Sequence, residues 1–445
     1  MKKIIFLTTI ALIITLFISF WLIISGGYDK QNKSILFLKK IIPSSIARKV
    51  RDTIFFIPTL QERNKFLELQ LQKYEQGLRG SLFYEEKIQK KNLNYQVKKF
   101  FLPYPSLDLS LGWQAEKNST RAHYLEIIGD KILVISGEGE TIYFEKQNIK
   151  KNFLNQKYLD NNLLDVIKKR NNTLSGIRDL FYEEDFIYIS VVEISQKGGT
   201  LNIYRAKKDF KFLNFEIFFE SKEFYEKGYT LQSGGRLESF TNNEILLSVG
   251  FFNKHEFAQD EKSLLGKIIS INKENKNFKI QSRGHRNPQG LHYWREKNII
   301  INSEHGPKGG DEVNLNYLNN KIEKNFGWPI SSYGEAYTSK QKEIFDKRGY
   351  LKKSHSDFGF IEPLKYFNPS IGISEIVHLN DSIYVSSLRA ESIYVIKLSD
   401  KEIVEKISRL KFDNRIRDLK YDEKNKTIIL ALTSSGSLGI LKKKE

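Results

Sequence analysis

The chain changes its hydrophobic rhythm twice. From Ile4 to Ser25 it runs without a charged residue. That run is long enough to cross a hydrocarbon core of roughly 30 Å at about 1.5 Å per residue, and it predicts a transmembrane signal-anchor over 1–27. A helical rhythm follows. In "PSSIARKVRDTIFFIP", Ser44 or Ser45 offers a cap, Ile46, Val50, Ile54 and Ile57 share a face, and proline bounds both ends. In "NKFLELQLQKYEQGL", Asn64, Leu67, Leu71, Tyr74 and Leu78 step alternately by three and four. The seam lasts barely two heptads, shorter than a coiled coil demands. Packing onto the domain that follows is one use for it; a membrane-proximal stalk that makes a homodimer is the other. Residues 28–100 thus read as a helical juxtamembrane segment.

From about Phe101 the texture becomes β-rich. "KILVISGEG", "DFIYISVVE", "EILLSVGFF", "GKIISINKE", "NIIINSE", "DSIYVSSL", "SIYVIKLS" and "KTIILALTSS" are short runs rich in Ile, Val, Tyr and Phe, separated by Gly, Asn and Asp. Many short strands over 101–445 predict a closed or stacked all-β architecture, because open edges would aggregate. An internal echo narrows the choice. "GIRDLFYEEDFIYIS" (176–190) and "RIRDLKYDEKNKTIILA" (415–431) share Ile-Arg-Asp-Leu, then an aromatic, acids and a strand. A repeated unit points to radial repetition, a β-propeller, over a sandwich.

Composition changes this picture little. The chain has 445 residues, no Cys and a net charge of +18. Disulfides, thiolate metal sites, a cysteine nucleophile and a lipoprotein anchor are excluded. The lysines are scattered, and no basic block interleaves with aromatics, so no nucleic-acid partner is expected. The apolar run exceeds the about 7–15 residues of a cleaved signal and lacks its small-x-small site, which favours an uncleaved anchor. Lys2 and Lys3 precede the span and Lys30, Lys33, Lys39 and Lys40 follow it, so flanking charge does not choose an orientation.

Candidate chemistry concentrates in "SEHGPKGGDEVN" (303–314), with "SRGHRNPQGLHYW" (282–294) ahead of it and "KNFGWP" (324–329) behind. Glycines let a backbone approach a ligand closely. Together with "GGRL" (234–237), "AQDEKSLLGKII" (258–269), "NPSIGIS" (368–374), "SSLR" (386–389) and "RIRDL" (415–419), these stretches resemble the soluble quinoprotein glucose/sorbosone dehydrogenase family from about Gly176 onward. The resemblance implies a six-bladed β-propeller that uses pyrroloquinoline quinone (PQQ) and calcium to oxidise sugars outside the cytoplasm. It implies cofactor contacts from Arg286, Asn287, His305, Arg389, Arg415 and Arg417. Arg suits a polycarboxylate by its forked donor geometry. It also implies calcium on the carbonyls of Gly306 and Pro307, and a second, structural calcium near Asp311 and Glu312. Arg389 stands where a lysine is common. The competing readings are ion pairs of Arg415 and Arg417 with Asp413 and Asp418, a bare connection at 306–310, scaffold roles for Trp328 and Pro329, and a core role for Trp294.

One departure stands out. The family's general base is a histidine four residues before the "GGRL" arginine. Here Arg236 is that arginine and the position holds Gln232. An amide cannot accept and return a proton near neutral pH. His285 and His305 belong to motifs already accounted for, and His123, His255, His292, His355 and His378 have no spacing that marks them, so each reads as a core or surface residue. Three readings stay open: a membrane-tethered, PQQ-dependent aldose dehydrogenase with altered chemistry or another base; a non-catalytic propeller binding a sugar, glycan or protein partner; and a different enzyme on the same scaffold, such as a metal hydrolase.

Overall fold

Strands in the second half of the chain are apolar at consecutive positions rather than alternate ones, which requires burial of both faces. The computed structural model describes residues 83–90, 93–102, 122–151, 155–225, 231–320 and 324–443, and it meets that requirement with six antiparallel blades. Their inner strands are His123–Ile128, Thr173–Glu183, Gly234–Thr241, Pro288–Trp294, Ile373–Leu379 and Ile416–Asp422. These six neighbour one another in a closed ring. Each opens a blade of further antiparallel strands running outward, numbered here blade 1 to blade 6.

A hydrophobic core fills each gap between blades. In Lys131–Ser136 of blade 1, Leu133 and Ile135 face blade 2, while Ile132 and Val134 face blade 6. All four are fully buried. Phe181 and Tyr188 meet Leu237 and Ile245 between blades 2 and 3. Leu246 and Ile268 meet Leu291 and Ile300 between blades 3 and 4. Ile301 and Val313 meet Ile373 and Ile383 between blades 4 and 5. Ile393 and Val395 meet Ile416 and Leu430 between blades 5 and 6.

Blade 6 corrects the domain boundaries read from sequence. Phe83–Lys90 and Leu93–Phe101 are strands, not part of a helical segment ending at 100. Leu93–Phe101 pairs with Ser437–Lys443, so the blade is completed from both ends of the propeller sequence. Tyr95 and Val97 enter the core between blades 5 and 6, and Phe100 that between blades 6 and 1. The lysine-rich outward positions of this strand hid its alternation. Among the described residues no helix is long and apolar enough to cross a membrane. The run Ile4–Ser25 and the helical stretches between 44 and 78 lie outside the described residues.

At the axis one side chain ties the ring together. Arg236 Nη1 lies 2.9 Å from Asp179, 2.8 Å from Glu375 and 3.0 Å from Asp418. Its Nε donates to the Gln289 carbonyl (2.7 Å) and its Nη2 to the Arg417 carbonyl (2.8 Å). Asp418 also accepts the Leu125 amide (2.9 Å). Inner strands of all six blades therefore meet at one guanidinium. The echoed Ile-Arg-Asp-Leu motif supplies two of its carboxylates, Asp179 and Asp418, from blades 2 and 6.

Candidate active site

The leading ends of the inner strands carry the arginines and amides the sequence singled out, and hydrogen bonds join them into one mouth. Gly234 donates to Asn287 Oδ1 (3.2 Å), as does Gln289 Nε2 (3.1 Å). Arg417 Nη1 donates to Gln289 Oε1 (3.1 Å). Arg286 Nη1 donates to the His305 carbonyl (2.9 Å), and the His305 amide donates to the Asn287 carbonyl (3.1 Å). Arg286 also lies over Phe251 and Trp328, 5.4 and 5.2 Å from their ring centres. Its Nε is buried with no hydrogen-bond partner.

Arg415 stands two residues before Arg417, its amide bonded to Ser434 Oγ at 3.1 Å. Asp413 pairs with Lys411 (2.5 Å) and Asp418 with Arg236. Arg389 joins through its backbone, which bonds to Ile371 (3.0 Å), and its side chain is exposed. Arg178, which the sequence did not single out as a site residue, reaches the same mouth from blade 2: its Nε donates to Ser233 Oγ at 2.8 Å.

Gln232 lies where the base was sought. Its backbone is left-handed, at φ 61°, and its carbonyl accepts the Phe252 amide at 3.2 Å. Its side-chain Oε1 is buried and meets no donor.

The loop 304–311 closes one side. It folds back so tightly that a Cβ on Gly306 would collide with the carbonyl oxygens of Gly309 and Gly310. No hydrogen bond among the described residues ends on the carbonyls of Gly306 or Pro307, which leaves two hard oxygen donors for a cation such as calcium.

Asp311 is engaged by the loop it belongs to and by the segment 370–373. Its carboxylate accepts from the Gly306 amide (3.1 Å), Ser370 Oγ (2.6 Å), the Gly372 amide (2.7 Å) and the Ile373 amide (3.1 Å), and lies 3.8 Å from His305. Burial pushes this carboxyl up, but His305 and the other donors outweigh it and hold it below the usual range. It is a clamp for the loop. Asp311→Ala, leaving buried amides without an acceptor, is expected to lower stability by about 3 kcal/mol or more, read from denaturant unfolding.

Glu312 lies in a small cavity beside this loop, lined also by Glu304, Gly306, Trp328 and His355. Its free volume of ≈ 10 Å³ suits one water or a monatomic ion. His355 Nε2 lies 3.4 Å from Glu312. Glu304 is held by His285 Nδ1 (3.1 Å), the Arg286 amide (2.7 Å) and Asn314 Nδ2 (2.8 Å). Burial raises the Glu312 carboxyl. For Glu304 burial is outweighed by His285 and the Arg286 amide, which keep it low. His355, read from sequence as a plain core or surface residue, is thus part of the site's wall; no motif spacing marked it. Trp328 is 4% exposed and serves as scaffold beneath Arg286, whereas Trp294 is only partly buried at the edge of a core.

Among the described residues one trio of acids could gather round a metal, Asp179, Glu375 and Asp418. The Arg236 guanidinium fills it, so it offers nothing to a metal hydrolase.

Known proteins share this fold. The profile of the glucose/sorbosone dehydrogenase family matches residues 161–441. The aldose sugar dehydrogenase YliI of Escherichia coli is 25% identical over 295 residues, covering 59% of this chain and 76% of that protein. The crystal structure of the soluble aldose sugar dehydrogenase of Escherichia coli in its apo form aligns with a TM-score of 0.54 at 19% identity, over 72% of this chain and 95% of that one. The PQQ-bound aldose sugar dehydrogenase of Streptomyces coelicolor aligns with a TM-score of 0.53 at 18% identity, over 74% and 95% of the two chains. With a six-bladed ring and a matched profile over more than half its length, this chain belongs to the glucose/sorbosone dehydrogenase family.

Proposed function

We propose that this protein is a membrane-anchored, PQQ-dependent sugar dehydrogenase of the aldose type, with calcium as co-ligand and Gln232 in place of the usual base. The observation that supports the reading is the Arg286 side of the mouth: Arg286 shares a cavity with the loop whose Gly306 and Pro307 carbonyls accept no hydrogen bond among the described residues, its Nε has no partner, and Asn287 and Gln289 link this side to Arg417. That donor set fits a planar tricarboxylate and a hard cation. PQQ, when bound, supplies the hydride acceptor. The chain's own residues do the rest. Arg286, Arg415 and Arg417 hold carboxylates, Asn287 and His305 fix the Arg286 side of the mouth, and Gly306 and Pro307 offer oxygens to calcium. Gln232 Oε1 accepts a hydrogen bond from the sugar hydroxyl and orients it, and the hydroxyl proton passes to water rather than to this amide.

The span Ile4–Ser25 would tether the propeller to the membrane with its mouth outside the cytoplasm, where sugars and the quinone are available. A second reading, a propeller that binds a sugar or glycan without oxidising it, is favoured by the same unpartnered amide oxygen. Full-length protein mixed with PQQ and calcium separates the two. A calcium-dependent cofactor spectrum that an aldose bleaches, with electrons passed to a dye, supports the dehydrogenase; a spectrum that no aldose bleaches supports the binder. Arg417→Ala is expected to weaken PQQ binding about tenfold or more, the loss of one charged hydrogen bond, and unchanged affinity would remove Arg417 from the cradle.

A further inference from the structure

Blade 2 carries a cleft that the mouth does not use. It is lined by Arg170, Asn172, Lys197, Asn202, Lys222 and Phe224, among others, and has a free volume of about 340 Å³, at the lower end of the roughly 300–1,000 Å³ typical of small-molecule sites. We propose that this cleft is a carbohydrate subsite, which takes the remote residues of an acidic oligosaccharide whose reducing end lies at the mouth. The proposal rests on the dehydrogenase-family reading of the mouth and adds the substrate class.

Three observations carry it. The first is position. The strand Thr173–Glu183 meets the mouth midway along its length, where Arg178 contacts Ser233, and its leading end pairs with the trailing end of Phe186–Ser195. The cleft, built from the residues just before the one strand and just after the other, therefore opens on the mouth face. A continuous wall joins the two places. Phe224 leads into Tyr225, which exchanges backbone hydrogen bonds with Gly199 (3.2 and 2.9 Å) and stacks on Phe252 at 4.2 Å. Phe252 in turn donates to the Gln232 carbonyl.

The second observation is a preset floor. Glu193 is fully buried beneath the cleft and accepts from Asn172 Nδ2 (2.6 Å), Asn202 Nδ2 (3.0 Å) and Tyr204 OH (2.6 Å). Both amides are thereby oriented, with rotamer freedom already lost before any ligand arrives. The third is chemistry. Amides and cations suit the hydroxyl-rich edge of a sugar, and the Phe224 ring suits its C–H face, with Lys197 Nζ 5.6 Å from that ring. Arg170, Lys197 and Lys222 outnumber the one acid in the lining, Glu220, which pairs with Arg170. That excess favours a carboxylate-bearing glycan. Binding energy from such a remote contact can hold the reacting end in register.

The test is calorimetric titration of full-length, quinone-free protein with tri-galacturonic acid, maltotriose and glucose. Tri-galacturonic acid is expected to bind at least tenfold tighter than either of the others, with affinity falling as salt rises. The double change Lys197→Ala with Lys222→Ala, both exposed, should weaken it about tenfold and leave the unfolding temperature and any glucose oxidation unchanged. Phe224→Ala should weaken acidic and neutral trisaccharides alike. Equal affinities in wild type and the lysine variant, or no trisaccharide binding at all, would overturn the subsite. Because no quinone is present, that failure leaves the dehydrogenase reading standing; conversely, trisaccharide binding with no bleaching of added PQQ by any aldose sinks the dehydrogenase reading alone.

Discussion

Gln232→His is expected to raise aldose turnover by about 10²–10⁴-fold in the PQQ- and calcium-loaded protein, the usual contribution of a positioned general base. The backbone is ready for the change. Position 232 is left-handed, a conformation histidine tolerates better than most side chains, and its carbonyl is pinned by the Phe252 amide. The buried, donor-free Oε1 marks where an imidazole nitrogen would stand. The gain should appear in kcat with KM little changed, because a hydroxyl bonds to either side chain in the ground state while only imidazole removes its proton. The rate of the variant should also acquire a pH dependence near the imidazole range that the wild type lacks. A variant no faster than wild type would mean that a different group takes the proton, or that the mouth holds its sugar in a pose from which hydride cannot leave.

The largest expected loss of stability belongs to Arg236. Arg236→Met should cost at least about 3–5 kcal/mol, since removing one partner of a buried ion cluster strands the others. Here Asp179, Glu375 and Asp418 would face one another across the axis. Arg236→Lys is expected to recover little, because an ammonium cannot reach three carboxylates and the carbonyls of Gln289 and Arg417 together. Denaturant unfolding of both variants measures this; near-wild-type stability for Arg236→Lys would show that charge alone suffices.

The same axis sets a pH dependence. Burial pushes Glu375 and Glu238 up to about 8, opposed by Arg236 at the first and Lys420 at the second, with Glu126, Asp179 and Asp418 adding repulsion. His292, 3.8 Å from Glu238, is held neutral by burial. A carboxyl whose folded value lies above its unfolded one binds its proton more tightly when folded. Its stabilising contribution is complete below about pH 4.5 and is lost as pH rises through about 8. Thermal stability should therefore decline over that window, and Glu238→Gln should flatten the decline. An unchanged slope in that variant would place the titration elsewhere.

How much of this could be read from the residues alone depended on whether a side chain's role is local. Blades announced themselves as short apolar runs, and Gln232 by its distance from Arg236. The repeated Ile-Arg-Asp-Leu was visible as a repeat, but its meaning was not: only closure of the ring shows that Asp179 and Asp418 grip the same arginine. Glu375, a single acid in "ISEI", carried no signal, and neither did His355, which sits in an irregular stretch and meets Glu312 only through tertiary packing. The hold of Asp311 on the amides of Gly372 and Ile373 was equally hidden, because those groups come from a segment some sixty residues further along the chain. The hairpin 83–101 was missed because its partner strand lies at the far end of the chain.

That last pairing also bears on how the protein is made. Strand Leu93–Phe101 emerges before blades 1 to 5 and finds Ser437–Lys443 only after all five have been synthesised. Until then the sixth sheet has a bare flank, and the groove between the fifth and first sheets has no lid. Such distant pairing slows folding, so the newborn chain must pass through an unsealed stage in which apolar surface faces water. Losing even the final strand would leave the ring permanently in that condition.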